Sequence, residues 1–207
     1  MKNKRGTGLI AAGMVFILAA AGLSVYNHIE EKNAGDSSAK AAEILVQQIV
    51  VKPDSGIYEN AAEEEIPDHI LNPKMDMPET EIDGTRYIGT LEIPKIGLVL
   101  PVISEWSYPN LKIAPCRYSG TALGGDLVLM AHNYKRHFGT IAQLSEGELV
   151  YFTDVDGVVS CYEVMALDVL DPGAVEEMTA GDFDLTLFTC TYGGQSRVTV
   201  FCDRVEL

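Results

Sequence analysis

The sequence predicts a mostly β domain, a closed or nearly closed β-barrel of about eight strands with one or two short helices, behind an N-terminal transmembrane helix. Three observations lead there. The stretch "GLIAAGMVFILAAAGLSVY", Gly8 to Tyr26, carries no charge. From Tyr87 onward, short apolar runs alternate with turn residues. Within that region only the segment around Phe138 to Leu144 has a helical pattern.

The uncharged run is about as long as a bilayer-crossing helix needs to be. Lys2, Lys4 and Arg5 precede it and Glu30 and Glu31 follow, an asymmetry that keeps the N-terminus inside and the rest of the chain outside. Ala19-Ala20-Ala21 offers a small-residue cleavage site, so a removed signal peptide is the rival reading. The run exceeds a usual signal core, and an uncleaved anchor is preferred. Either way the working domain is exported.

The chain accordingly divides into a membrane anchor (1–29), an extracytoplasmic stalk (30–82) and a working domain (83–207). In the stalk, "SSAKAAEILVQQIVV" suits a short helix with Asp36 or Ser37 as N-cap and Ala42, Leu45, Val46 and Ile49 on one side. Pro53, "ENAAEEEIPD" and "NPKMDMPETEIDG" follow, with the proline and charge content of a linker. A solvated spacer is the preferred reading, ahead of a segment lying back over the site.

Beyond it, "YIGTLEIP", "LVLPVIS" and "GGDLVLMAH" read as strands. "ELVYFTD" and "VVSCYEVMALDVL" form a hairpin about the Asp156-Gly157 turn. "FDLTLFTC" and "RVTVFCDRVEL" form a last pair across Gly193-Gly194.

Thirty Asp and Glu stand against 15 Lys and Arg, a net charge of −15. Such an acidic chain excludes nucleic acid and anionic lipid headgroups as main partners. Its four cysteines are too few for a disulfide-built scaffold, and no pair has the CxxC spacing of a metal site.

Cys161 and Cys202 fall inside strand patterns, where a cysteine is commonly a small core residue; Cys116, after Pro115, reads as loop or strand edge. Cys190 differs because it ends a strand immediately before "TYGG", where backbone emerges at a barrel rim. It can be a buried small residue, half of a disulfide, or a nucleophile. A nucleophile needs a proton-transfer partner. His28 sits against the membrane, His69 lies in the stalk, and His137, in the loop "NYKRHFG", reads as exposed. His132 ends its strand as Cys190 does, and adjacent strand ends can join thiol and imidazole. Arg197 opens the strand returning from Cys190, and a hairpin over "TYGGQS" sets its guanidinium near the thiol, where a cation lowers thiol pKa or stabilises an oxyanion.

The pattern "TLFTC" followed by Arg197, with "AHN" upstream and "LEIPKIGLVLPVI" opening the domain, resembles the sortases, membrane-anchored cysteine transpeptidases of Gram-positive bacteria. The resemblance covers roughly Tyr87 to Leu207. It implies the sortase β-barrel with Cys190 as nucleophile, His132 as general acid/base and Arg197 as stabiliser of the oxyanion or substrate carbonyl. It further implies a sorting-signal peptide of the Leu-Pro-x-Thr-Gly kind, a thioester acyl-enzyme, and an amine acceptor from a peptidoglycan precursor. No metal or organic cofactor is required. The alternatives are a pilin-polymerising sortase, a cysteine endopeptidase with water as acceptor, and a non-catalytic surface-binding barrel. Pilus-type members carry an Asp-Pro-aromatic lid and often a second membrane span; here the one Asp-Pro, Asp171-Pro172, precedes Gly173 and "CDRVEL" carries no apolar tail, which favours protein anchoring. "DVLDPGAVEEMTAGDFD" falls at the family's substrate-recognition loop and reads as a solvated acidic loop rather than a calcium site.

Overall fold

A computed structural model of the chain describes residues 4–51, 71–72 and 75–206. Helix α1 spans Lys4–Val51, and nine strands follow: β1 Thr80–Ile82, β2 Thr85–Ile93, β3 Leu98–Ile103, β4 Cys116–Ser119, β5 Leu127–Ala131, β6 Leu149–Asp154, β7 Val159–Leu170, β8 Leu185–Cys190 and β9 Arg197–Val205. Two short helices, α2 (Tyr108–Leu111) and α3 (Val175–Thr179), complete the fold. The helical candidate near Phe138 is a 3-10 helix over Phe138–Gln143.

Strand order is β1-β2-β3-β4-β5-β8-β9-β7-β6, and β6 pairs back onto β2. Eight strands therefore close into a barrel, with β1 as an extra edge on β2. Closure needs β2 to serve β3 and β6 together, and Gly89, at φ +156, sits at the bulge where its register against β3 shifts. A Cβ there would overlap the Thr153 carbonyl oxygen, so only glycine permits the approach. Inside the barrel lie Ile88, Leu91, Ile93, Leu127, Leu129, Phe138, Ile141, Phe152, Tyr162, Leu185 and Leu187, all fully buried. Alternation along β8 sends Leu185 and Leu187 inward, whereas Phe188 packs outside against Val128 of β5 and Met178 of α3.

The strand between "LVLPVIS" and "GGDLVLMAH" was not evident from the sequence. Cys116, expected in a loop or at a strand edge, opens β4 and is fully buried, and Ile103 of β3 pairs with it in parallel.

The larger difference lies in the expected stalk. Helix α1 runs unbroken through Glu30, Asp36 and Ser37, so the expected cap is not used. Its buried stripe is Ala34, Ser38, Ala41, Ala42 and Leu45, the i, i+4, i+7 spacing of a helix laid on a surface. Ala41 and Leu45 pack with Tyr87, Ile103, Leu111, Ala114 and Val155 on the outer face of β2 and β3. Val46, expected on that stripe, is exposed. Polar contacts flank the stripe: Lys112 Nζ meets Glu30 at 2.7 Å, Arg136 Nη1 meets Asp36 at 2.6 Å, and Lys40 Nζ meets Asp83 at 3.3 Å. The first part of the expected spacer is thus a strut against the barrel; Pro53 and "ENAAEEEIPD" lie outside the described residues. Of the later linker, Met77 is buried in the core and Asp76 accepts from Arg117 Nη1 at 2.7 Å.

Candidate active site

Strands β5 and β8 are parallel neighbours, with Ala131 opposite Thr189. His132 and Cys190 are the next residues along those two rows. Across the other edge of β8, Cys190 is the antiparallel partner of Arg197. Imidazole, thiol and guanidinium thus stand at one level on three adjacent strands, and all three line one groove. Thr189 secures that level, its hydroxyl donating to the Ala131 carbonyl at 2.8 Å.

The groove, about 240 Å³, lies on the outer face of the barrel. Its walls are Trp106, Tyr108, Tyr118, Met130, Phe188, Met178, Val175 and Pro172. The aromatics interlock: Trp106 stacks on Tyr118 at 6.1 Å and Tyr118 meets Phe188 edge-on at 5.5 Å. These residues were not singled out from the sequence; the signal was available in "EWSYPN", which puts the only tryptophan and a tyrosine in a loop. Met178, Val175 and Pro172 come from the acidic segment between β7 and β8, which therefore presents an apolar inner face. Among the described residues no cluster of His, Cys, Asp or Glu has the geometry of a metal site.

All four cysteines are free. Burial pushes the thiols of Cys116 and Cys202 up to about 12 and raises that of Cys161. Cys190 alone is half-buried and opens on the groove. His132 is also half-buried. Burial holds its imidazole below the usual histidine value, the Lys112 ammonium pushes it lower, and the Glu30 carboxylate opposes both. Arg197 Nη1 donates to the carbonyls of Gly194 and Ser196 at 3.1 Å each. Thr191 closes the same turn, its amide donating to the Ser196 carbonyl at 3.0 Å.

The other histidines fall differently from expectation. His137, expected to be exposed, is fully buried. Its pKa is lowered to about 4, chiefly by burial, which the neighbouring Ala34 backbone of α1 offsets only in part. His28, set aside as a membrane-segment residue, shares a cavity with Cys190 because α1 passes the rim there. His69 lies outside the described residues.

An eight-stranded closed barrel with a thiol set between an imidazole and a guanidinium at its rim defines a class of thiol-bearing β-barrel proteins. The Sortase domain family model matches residues 91–205, more than half of the chain. The chain belongs to the sortase family. It is 27% identical over 129 residues to Sortase A of Bacillus anthracis, a match covering 56% of this chain and 61% of that relative. The chain thus spans about three fifths of that relative's length. Sortase C of Clostridium perfringens, solved with a C-terminal cell wall sorting motif, superposes at TM-score 0.54 with 25% identity, covering 91% of this chain and all of that one. The fold is also shared with a Sortase D5 transpeptidase of Clostridium perfringens, at TM-score 0.58 and 17% identity over 83% of this chain and 99% of that one.

Proposed function

We propose that the protein is a membrane-anchored cysteine transpeptidase that cleaves a C-terminal sorting signal of Leu-Pro-x-Thr-Gly type and joins the new terminus to an amine. The observation that carries the reading is the register that sets Cys190 between His132 and Arg197. The likeness to a sortase C solved with a cell wall sorting motif supports a peptide of that kind as the ligand of the apolar groove.

The Cys190 thiolate attacks the carbonyl carbon after the signal's threonine. The carbonyl oxygen becomes an oxyanion, held by Arg197. As the C–N bond breaks, His132 delivers a proton to the departing amine and a thioester remains on Cys190. The acceptor amine, from a peptidoglycan precursor, then attacks the thioester and gives its proton back to His132. An amide forms as the C–S bond breaks, and the Cys190 thiolate and the His132 imidazolium are both restored.

Helix α1 anchors the protein by a single span, with the barrel outside. Gly8–Ile49 contains a window long and apolar enough to cross a bilayer, and none of that window is buried by the barrel.

The test is a labelled sorting peptide incubated with the protein, with and without an amine acceptor. Amine-dependent ligation that vanishes in Cys190→Ala supports the reading. Hydrolysis that ignores the amine makes the protein an endopeptidase, and no turnover by the parent protein leaves a binding barrel.

A further inference from the structure

We propose that the catalytic rim faces the membrane and touches it: the β8–β9 loop, through Tyr192, lies in the interfacial layer of the bilayer that α1 crosses. The proposal rests on the anchored reading of α1 and adds the orientation and height of the site above the lipid.

The unbroken course of α1 fixes that height. The uncharged run ends at Tyr26, and Glu30 already pairs with Lys112 on the barrel. Four residues of helix rise about 6 Å, so the barrel begins little more than one helical turn from the hydrocarbon boundary. Glu31 accepts from the Lys135 backbone amide at 2.7 Å on the loop that follows His132. Ser24, Asn27 and His28 line one cavity together with Cys190, Tyr192 and Gly193. The rim therefore sits beside the part of α1 nearest the span.

The opposite end of the barrel lies far up the helix. Lys40 meets Asp83 in the β1–β2 turn, and Ile49 approaches Gly157 in the β6–β7 turn. From Tyr26 to Ile49 the helix rises about 35 Å. Contacts with the barrel thus run in order along α1, from the rim near residue 28 to the far turn near residue 49.

Side-chain chemistry agrees with that order. Outside α1, the exposed aromatic residues among those described are Trp106, Tyr108 and Tyr192, and each lines a cavity that also holds Cys190. Tyr192 is 95% exposed at the tip of the β8–β9 loop. Tyrosine and tryptophan gather at the membrane interface, where a ring is partly desolvated and its polar atom stays wet. Lys112 and Lys135 stand at the same level as the α1 carboxylates.

Depth-dependent quenching of the full-length protein in bilayers with brominated acyl chains tests this. Trp106 is the only tryptophan, so Trp106→Phe gives a silent background for single reporters at Tyr192→Trp, Val159→Trp and Leu18→Trp. Bromines near the headgroups should quench the Tyr192→Trp reporter about twofold, and those near the bilayer centre far less. The Val159→Trp reporter, beside the far turn, should be quenched by neither. The Leu18→Trp reporter should be quenched by the central bromines. Quenching at Leu18→Trp with none at Tyr192→Trp overturns the proposal and leaves the anchor intact. No quenching at Leu18→Trp removes the anchored reading and the proposal with it. A Gly-Ser insertion after Asn27 lifts the barrel about 3 Å and should weaken the Tyr192→Trp signal while preserving that of Leu18→Trp; if Tyr192→Trp quenching is unchanged, α1 is not what sets the height.

Discussion

Cys190 and Arg197 are antiparallel partners across the β8–β9 turn, and one Arg197 nitrogen is already committed to the Gly194 and Ser196 carbonyls of that turn. A guanidinium has further N–H groups to offer. One side of the fork can therefore hold the loop while the other meets an oxyanion. Lysine cannot do both with the same fixed plane. Arg197→Lys is expected to lower kcat/KM about a hundredfold or more, the scale of losing an oxyanion donor. Arg197→Ala should lose more activity and, giving up its hydrogen bonds to the Gly194 and Ser196 carbonyls, lower Tm slightly while the protein stays folded. A Lys variant near full activity in the peptide assay would remove Arg197 from the site.

The four thiols should separate cleanly by reactivity. Cys116, Cys161 and Cys202 are buried and held protonated, whereas Cys190 opens on the groove. Iodoacetamide added to the native protein should modify Cys190 alone, with the other three reacting only after denaturation. Peptide mass spectrometry reads this directly. Native labelling at Cys202 ahead of Cys190 would contradict the assignment.

The rim was legible because its strands announce themselves. β5, β8 and β9 are apolar runs with sharp ends, and Cys190 and His132 stand at those ends. That β5 and β8 are parallel neighbours is a long-range fact, set by which edges remain to be paired when the barrel closes. The resemblance to a family supplied what local pattern could not. β4 went unseen because four residues, "CRYS", hold too little alternation to register. The unbroken α1 went unseen because "NAGDSS" reads as a break followed by a cap. Gly35 is there instead to let the Arg136 side chain lie against the helix, 2.6 Å from where a Cβ would stand. His137 reads as exposed from its neighbours Lys135 and Arg136, which are exposed, yet its own ring is buried beside α1, close to the Ala34 backbone.

His132 should answer to Lys112. The ammonium lowers the imidazole's pKa directly, and it also engages Glu30, whose carboxylate acts in the raising direction. Lys112→Met removes the cation and frees the anion, and both changes favour the imidazolium. The His132 pKa is expected to rise, as followed by NMR titration of the ring. The limb of the pH–rate profile that requires a protonated imidazole should move to higher pH with it. A lowered or unmoved pKa would mean that Lys112 and Glu30 do not act on His132.

His137 should make the protein acid-sensitive. Its ring is fully buried against α1, where the Ala34 backbone offsets the cost of burial only in part. Burial holds the folded-state pKa at about 4, below the ordinary value near 6.5. Between those limits the unfolded chain binds a proton that the folded protein refuses, so stability is full above about pH 6.5 and falls as pH drops toward about 4. The slope is about 1.4 kcal/mol per pH unit, or roughly 2 kcal/mol between pH 6.5 and pH 5. His132, shifted the same way, adds to it. Phenylalanine is close to the ring's size and cannot take up a proton, so His137→Phe should stay folded at pH 7, its stability there changing by no more than about 1 kcal/mol. It should also lose most of the His137 share of the acid dependence. Urea unfolding of both proteins at pH 7 and pH 5 measures the two differences. An unchanged pH dependence in His137→Phe would show that the buried ring is not the acid-sensitive group.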